Sequence, residues 1–390
     1  MIYQEKLTEL SPYARNSRPL KLPPVAYEHG AARGEDRPVP TEMNSALNNV
    51  VEKYESIIKN STRWVYTSLE AYKNMEKVGS NFFAQNKDLT IYPNWRGCSK
   101  GFFKVDGMSS CFAWLTCEDL KDIKIERRIN HGLGKEVFEA DWNGNTVAYV
   151  RLRPERLHQE PIRSRVRTGI ENLIRLNPSP YVTQVLGYCF EGQNSIMISE
   201  LAPLGDLRDF VGSQNYAELD RLGRLGVVIR LARVFAFMHN SPIGKRVNCD
   251  MTKITRALSQ FLVTSDFRIV ANDLDDLPLV NREENKLANC TWGKIEDRDP
   301  IFQAPEERLH HTSIPNPFDE KADVWKLANM TYTIMYRSVS PSKKKGIDEL
   351  MAPLEDFLGR CQSQNPDDRP TAKEVVIELI EQYKKAANFL

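Results

Sequence analysis

Three short stretches constrain what this chain can fold into more than anything else in it. QAPEE lies at residues 303–307, DEKADVWKLA at 319–328 and NPDDRPTA at 365–372. Each is uninformative alone; their order and spacing are not. They sit in a half of the chain that reads as helical. Leu222 to Met238 is strongly apolar, as expected of a buried helix. Thr371 and Glu374 form a capping box ahead of VVIELI, where a last helix begins. Upstream the pattern changes. Phe138–Trp142 and Thr146–Leu152 flank Asn143-Gly144, the strongest short hairpin signal, and NSIMISE at 194–200 reads as a further strand. Ile162, Val166, Ile170, Leu173 and Ile174 give one helix face. The expected architecture is α+β: a small sheet-rich lobe followed by a larger helical lobe.

The 390 residues suffice for two or three lobes. A net charge of +1 offers no global attraction to nucleic acid or an acidic membrane, so nucleic acid is not an expected partner. No apolar run approaches the ~18 residues of a membrane helix, and the first residues lack an apolar signal core; no membrane anchor is visible in the sequence. Residues 1–40, rich in Pro, Arg and Glu, read as a flexible arm. Leu47, Val50, Val51, Tyr54, Ile57 and Ile58 have helical spacing, so 41–90 reads as a helical extension packed on a partner or on its own domain. Residues 91–390 make the main domain. The seven cysteines lack the paired spacing and nearby histidines of a zinc site. Buried free thiols and disulfides formed in an oxidising lumen both remain open. Sequons at Asn60 and Asn289 are glycosylation acceptors if the chain enters the lumen; the one at Asn329 lies in an apolar helical stretch and reads as chance.

The C-terminal series resembles that of the protein-kinase fold. The resemblance implies a bilobal kinase-like fold, with a β-rich N-lobe at about 120–200 and a helical C-lobe at about 201–390. It would put Asp323 and Trp325 in the central C-lobe helix and bring Glu306 to Arg369. MISELAPLGDLRDF resembles a kinase hinge, whose backbone near Glu200 to Ala202 would hold the adenine of ATP, with Val137 and Ala148 lining the nucleotide site.

The phosphate-binding residues depart from the family pattern. Kinases place a lysine in a Val-Ala-Ile-Lys strand; here the strand reads VAYV, and Val150 stands at that position. If Asn143-Gly144 is a two-residue turn, Trp142 faces Asn145 and Val137 faces Val150. Lys135 then shares the face of Val137, and diagonal neighbours ~7–8 Å apart lie within reach of a lysine side chain. Alternation sends Arg151 to the other face. Lys135 also falls in INHGLGKEVF, a degraded glycine loop. Asn130, Gly132 and Lys135 take its three glycine places, with Gly134 between them. Lost glycines and a gained cation point to a relocated phosphate-binding lysine, as in the with-no-lysine kinases. Its carboxylate partner cannot be assigned: the helix that usually donates a Glu offers Gly169, flanked by Glu160 and Glu171. The seven arginines between 151 and 175 read as a solvated face, or as a grip on an anionic or sugar substrate.

The catalytic loop is altered too. A kinase carries His-Arg-Asp with an Asn five residues after the Asp; here Asp250, in NCD, is the acid at the right place, and Thr255 stands five residues on. QFLVTSDF resembles the run that begins at the usual Asn, so Gln260, ten residues after Asp250, takes that place through a five-residue insertion. ANDLDDLP at 271–278 replaces Asp-Phe-Gly. Asp250 is expected to accept the acceptor's hydroxyl proton. Asp273 is expected to bind Mg²⁺ or Mn²⁺ across the phosphates, with Gln260 as a second metal contact. Asp275, at the usual glycine, either tolerates left-handed backbone or adds a carboxylate to the metal.

WLTCEDL, INHGLGKEVF, VLGYC, HNSPIG, NCD, LSQFLVTSDFRIVANDLDDLPLVN, DEKADVWK and NPDDRPTA together look like the protein O-mannose kinase family, from about Cys98 to near the C-terminus. That resemblance implies phosphate transfer from ATP to the 6-hydroxyl of mannose, within an O-linked trisaccharide on a glycoprotein such as dystroglycan. It also implies a luminal enzyme of the endoplasmic reticulum or Golgi, and oxidation among Cys98, Cys111 and Cys117. A secreted protein Ser/Thr/Tyr kinase, or a catalytically dead kinase-like binding module, would share the same fold.

Overall fold

The Asn143-Gly144 turn sets the register of the whole N-lobe. Both residues lie in the left-handed region, with φ of 51° and 79°, which Asn tolerates and Gly adopts freely. The computed structural model describes residues 96–105, 108–290, 298–308 and 317–388. The expected arm, the helical extension and the Asn60 sequon lie outside them. A short antiparallel pair, β1 (Phe102–Phe103) and β2 (Phe112–Ala113), comes first. The main strands are β3 (Lys124–His131), β4 (Lys135–Trp142), β5 (Asn145–Leu152), β6 (Val185–Cys189) and β7 (Ile196–Glu200), in the antiparallel order β3-β4-β5-β7-β6. Trp142 pairs with Asn145 and Val137 with Val150, as the turn predicts. Helix α1 (Glu160–Leu176) buries Val166, Ile170 and Leu173 against the sheet side of the core. The other sheet face is covered by residues 98–105 and 108–120. Phe103 and Leu115 join Ala140, Val147, Leu186 and Ile198 in a second core, and the Leu115 N–H donates to the Leu186 carbonyl at 2.8 Å.

The C-lobe is helical: α2 (Leu207–Gly212), α3 (Gln214–Glu218), α4 (Arg221–Met238), α5 (Ile254–Ser259), then the hairpin β8 (Phe261–Val263) and β9 (Ile269–Ala271). After it come α6 (Lys321–Tyr336), α7 (Pro341–Met351), α8 (Glu355–Cys361) and α9 (Ala372–Asn388). The apolar Leu222–Met238 run is α4, which packs against α6 and α9 and is buried along most of its length. The capping box holds at the start of α9: the Glu374 N–H donates to Thr371 Oγ1 at 3.2 Å, and the Thr371 N–H to Glu374 Oε2 at 2.7 Å. Asp323 and Trp325 lie on α6. Arg369 grips Glu306 with two parallel bonds of 2.6 and 2.8 Å, and its guanidinium lies over the Trp325 ring, 5.3 Å from the centroid. This bidentate pair is the contact the C-terminal series implied.

Six cysteines pair as Cys98–Cys111, Cys117–Cys189 and Cys249–Cys290. Cys361 is a buried free thiol, and burial pushes its pKa up to about 12, which leaves it protonated and inert. Asn289 is exposed, whereas Asn329 sits on α6 and donates to the Trp325 carbonyl, beside the buried Thr331. Among the described residues no helix is long and apolar enough to cross a membrane.

Candidate active site

The β8–β9 hairpin pairs Phe261 with Ala271, so the residues just beyond the pair, Gln260 and Asn272, must meet. They do: the Asn272 N–H donates to the Gln260 carbonyl at 3.1 Å. Gln260 and the Asp273 segment therefore share one end of the hairpin. Between Asp250 and Gln260, Ile254–Ser259 form α5, which leads directly into Gln260. The loop carrying Asp250 runs beside residues 276–279: the Cys249 N–H donates to the Asp276 carbonyl at 3.1 Å and the Val247 N–H to the Pro278 carbonyl at 3.4 Å. The Asp250 N–H donates to Asn248 Oδ1 at 2.8 Å.

Lys135 reaches this loop from the N-lobe. Its Nζ donates to Asp273 Oδ1 at 2.7 Å and to Asp275 Oδ1 at 2.8 Å. Alternation along β4 turns the next side chain away, and Glu136 accepts from Arg151 Nε at 2.7 Å on the other face. The lysine's partner, unassignable from sequence, is thus the Asp273–Asp275 pair. Asp275 does not take up the left-handed backbone that its place at the usual glycine suggested. It fills the space beside Gly169, where an added Cβ would lie 2.9 Å from Asp275 Cγ and overlap Oδ1. The helix carries Gly169 near the place of the usual glutamate, and Asp275 from the loop fills the space beside it.

The charges are strongly coupled. Burial opposes the Lys135 charge, but the two carboxylates outweigh it and hold the ammonium above its usual range. Burial also raises Asp273, and Lys135 more than reverses this, leaving Asp273 below the ordinary carboxylate range. Asp275 is pushed up to about 7 by burial and by the charge of Asp273, against the pull of Lys135. Burial raises Asp276, with Arg165 opposing.

The remaining expected positions are less uniform. Gly132 is exposed and donates its N–H to the Lys135 carbonyl at 2.8 Å. Gly134 has a packing reason to be glycine: a Cβ there would come within 2.8 Å of Ile162 and Val166 on α1. Val137 lies two residues along β4 from Lys135, and Ala148 pairs with Ser199 beside the hinge. The Glu200 side chain is buried and accepts from Arg268 Nη2 at 2.7 Å and from the Gln184 N–H at 3.0 Å. The Ala202 carbonyl accepts from the Gly205 N–H at 3.1 Å. Gln260 Oε1 is buried without a hydrogen-bond partner among the described residues. An unsatisfied amide oxygen is costly unless something binds it, and an oxygen donor set of Gln260 and Asp273 suits Mg²⁺ or Mn²⁺. Two arginines at Asp250 could not be singled out from sequence: Arg165 Nη2 donates to Oδ2 and Arg256 Nη2 to Oδ1, each at 3.2 Å.

A five-stranded lobe followed by a helical lobe that Glu306 and Arg369 pin internally defines the protein-kinase class, and with it an ATP-dependent phosphotransferase. Residues 123–379 match the family model for protein tyrosine and serine/threonine kinases. The chain is 30% identical over 319 residues to the protein O-mannose kinase of Homo sapiens, covering 80% of this chain and 85% of that protein. It is 31% identical over 309 residues to the Gallus gallus protein of that name (75% and 80% covered), and 31% identical over 291 residues to the Xenopus laevis one (72% and 78%). The chain belongs to the protein O-mannose kinase family.

Proposed function

We propose that this chain transfers the γ-phosphate of ATP to the 6-hydroxyl of mannose in an O-linked glycan, of the O-mannosyl trisaccharide type carried by a glycoprotein such as dystroglycan. The observation that carries the reading is the convergence of Lys135 on Asp273 and Asp275, one loop away from Asp250; relatives named for O-mannose supply the acceptor. Adenine lies against the hinge backbone at Glu200 to Ala202, beneath Val137 and Ala148. Lys135 meets the phosphates that the glycine loop, with Gly132 and Gly134, covers. Asp273 and Gln260 would hold Mg²⁺ or Mn²⁺, and Asp275 serves chiefly as the lysine's counter-ion. When bound, the metal supplies neutralisation of the phosphate charge. Asp250 orients the mannose hydroxyl and takes its proton as the O6–phosphorus bond forms and the bond from phosphorus to the ADP oxygen breaks. Three disulfides support residence in an oxidising compartment, the endoplasmic reticulum or Golgi lumen.

The test is incubation with labelled ATP, Mn²⁺ and either an O-mannosyl trisaccharide or a panel of peptides. Label is expected on the trisaccharide, and Asp250→Asn should abolish it while nucleotide still binds. Label on peptides alone would make the chain a protein kinase. Nucleotide binding without transfer to any verified acceptor would make it a binding module.

A further inference from the structure

We infer that Arg165 is a positioning residue: it couples helix α1 to the acid Asp250 and so makes the catalytic carboxylate's orientation depend on where α1 sits. The inference rests on Asp250 being the base. Arg165, Gly169 and Asn172 follow one another at spacings of four and three, so they form one stripe of the helix. Every member of that stripe meets the acidic loops. Arg165 Nη2 lies 3.2 Å from Asp250 Oδ2 and 3.7 Å from Asp276 Oδ2. Gly169 makes room for Asp275. Asn172 Nδ2 donates to the Leu274 carbonyl at 3.0 Å, in a buried bond. The same helix is held to the N-lobe where Ile162 and Val166 pack on Gly134, next to Lys135.

The two oxygens of Asp250 are therefore held by guanidinium groups on different lobes, Arg165 from α1 and Arg256 from α5. A shift of α1 would release one oxygen and let the carboxylate rotate about the other. In kinases a lysine–glutamate pair makes helix position matter to nucleotide binding. Here Gly169 removes that link, and Arg165 supplies a link of a different kind, from the helix to the acceptor side of the reaction. A misplacement of roughly 1 Å at a reacting group can cost about 10²-fold in rate.

The experiment compares Arg165→Ala and Arg165→Lys with wild type on any acceptor that the wild type phosphorylates. Arg167→Ala serves as a control on the same helix; that side chain is exposed and bonds to Glu171 at 2.9 Å. Arg165→Ala should lower kcat by about 10²-fold with KM for ATP and the calorimetric affinity for ADP unchanged. Arg165→Lys should recover part of the loss, because a single nitrogen makes both contacts. Arg167→Ala should behave as wild type. Should Arg165→Ala fail to fold, Arg165→Gln, which keeps much of the aliphatic stem, carries the same expectation. Unchanged kcat in the charge-removing variants overturns the inference alone. So does a loss in which ADP affinity falls in parallel, since that is a structural effect on the whole cleft. A wild-type chain that binds nucleotide but phosphorylates nothing overturns the reading of the site and this inference with it.

Discussion

Gly169 of α1 and Asp275 of the 271–278 loop are packed so closely that only a glycine leaves the Asp275 carboxylate in place to receive Lys135. An alanine inside a helix ordinarily stabilises it by about 0.8–1 kcal/mol relative to glycine. Here its Cβ would overlap Oδ1, so the sign reverses. Gly169→Ala should lower the melting temperature in calorimetry and reduce transfer by about tenfold or more, equivalent to at least ~1.4 kcal/mol of transition-state stabilisation. A higher melting temperature with full activity would show that the carboxylate has no need of that volume.

Lys135, on β4, is the cation that meets Asp273 and Asp275, and under the proposed function it faces the phosphates. Its removal takes away a preorganised cation, an effect of about 10²–10³ in rate in comparable sites. Lys135→Ala should lose activity on that scale, and it also leaves Asp273 and Asp275 facing each other without the cation bonded to both. The variant's melting temperature should therefore rise more on adding Mg²⁺ or Mn²⁺ than that of the wild type. Thermal melts with and without metal check this; equal metal-induced shifts would count against Asp273 as a ligand.

How much of this could be read from sequence depends on whether the signal is local. The β4–β5 register follows from a two-residue turn, so the direction of Lys135 was legible from Asn143-Gly144 and strand alternation alone. The Glu306–Arg369 pair was legible because both ends sit in recognisable stretches. The partner of Lys135 was not, because it lies 140 residues away and comes from a loop rather than from the helix. A gap such as Gly169 does not say what fills it. Arg165 was one of seven arginines with nothing to distinguish it until α1 was docked. Cys117–Cys189, separated by 72 residues, depends on how residues 108–120 lie across the sheet.

The Cys249–Cys290 disulfide begins one residue before Asp250 and spans 41 positions. A cross-link closing a loop of that length stabilises by about 4 kcal/mol in the chain-entropy model, and this one also ties the Asp250 loop to the segment beyond Asp276. Cys249→Ala/Cys290→Ala should lower the urea unfolding free energy by about 2–4 kcal/mol and reduce kcat more than the affinity for nucleotide. Urea titration and steady-state kinetics of the double variant test both; intact kinetics would leave the bond a purely structural staple.

Asp266 is expected to link acid to the segment at Glu200 through Arg268. It accepts from Arg268 Nε at 2.9 Å, and Arg268 Nη2 in turn holds Glu200 at the end of β7. Burial pushes the Asp266 carboxyl up, but Arg268 and the Thr264 hydroxyl outweigh it, and the net effect lies below the ordinary carboxylate range. A group whose folded-state pKa is depressed contributes stability above its unfolded value, about 3.9 for Asp. That contribution is lost as pH falls through the folded value. Asp266→Asn should therefore be less stable than wild type at neutral pH, and the difference should shrink as the pH is taken below about 4. Urea unfolding of both proteins across that range reads the difference directly. A gap that stayed constant into strong acid would mean that the asparagine disturbs packing rather than charge, and the ion-paired account of Arg268 and the hinge would fail.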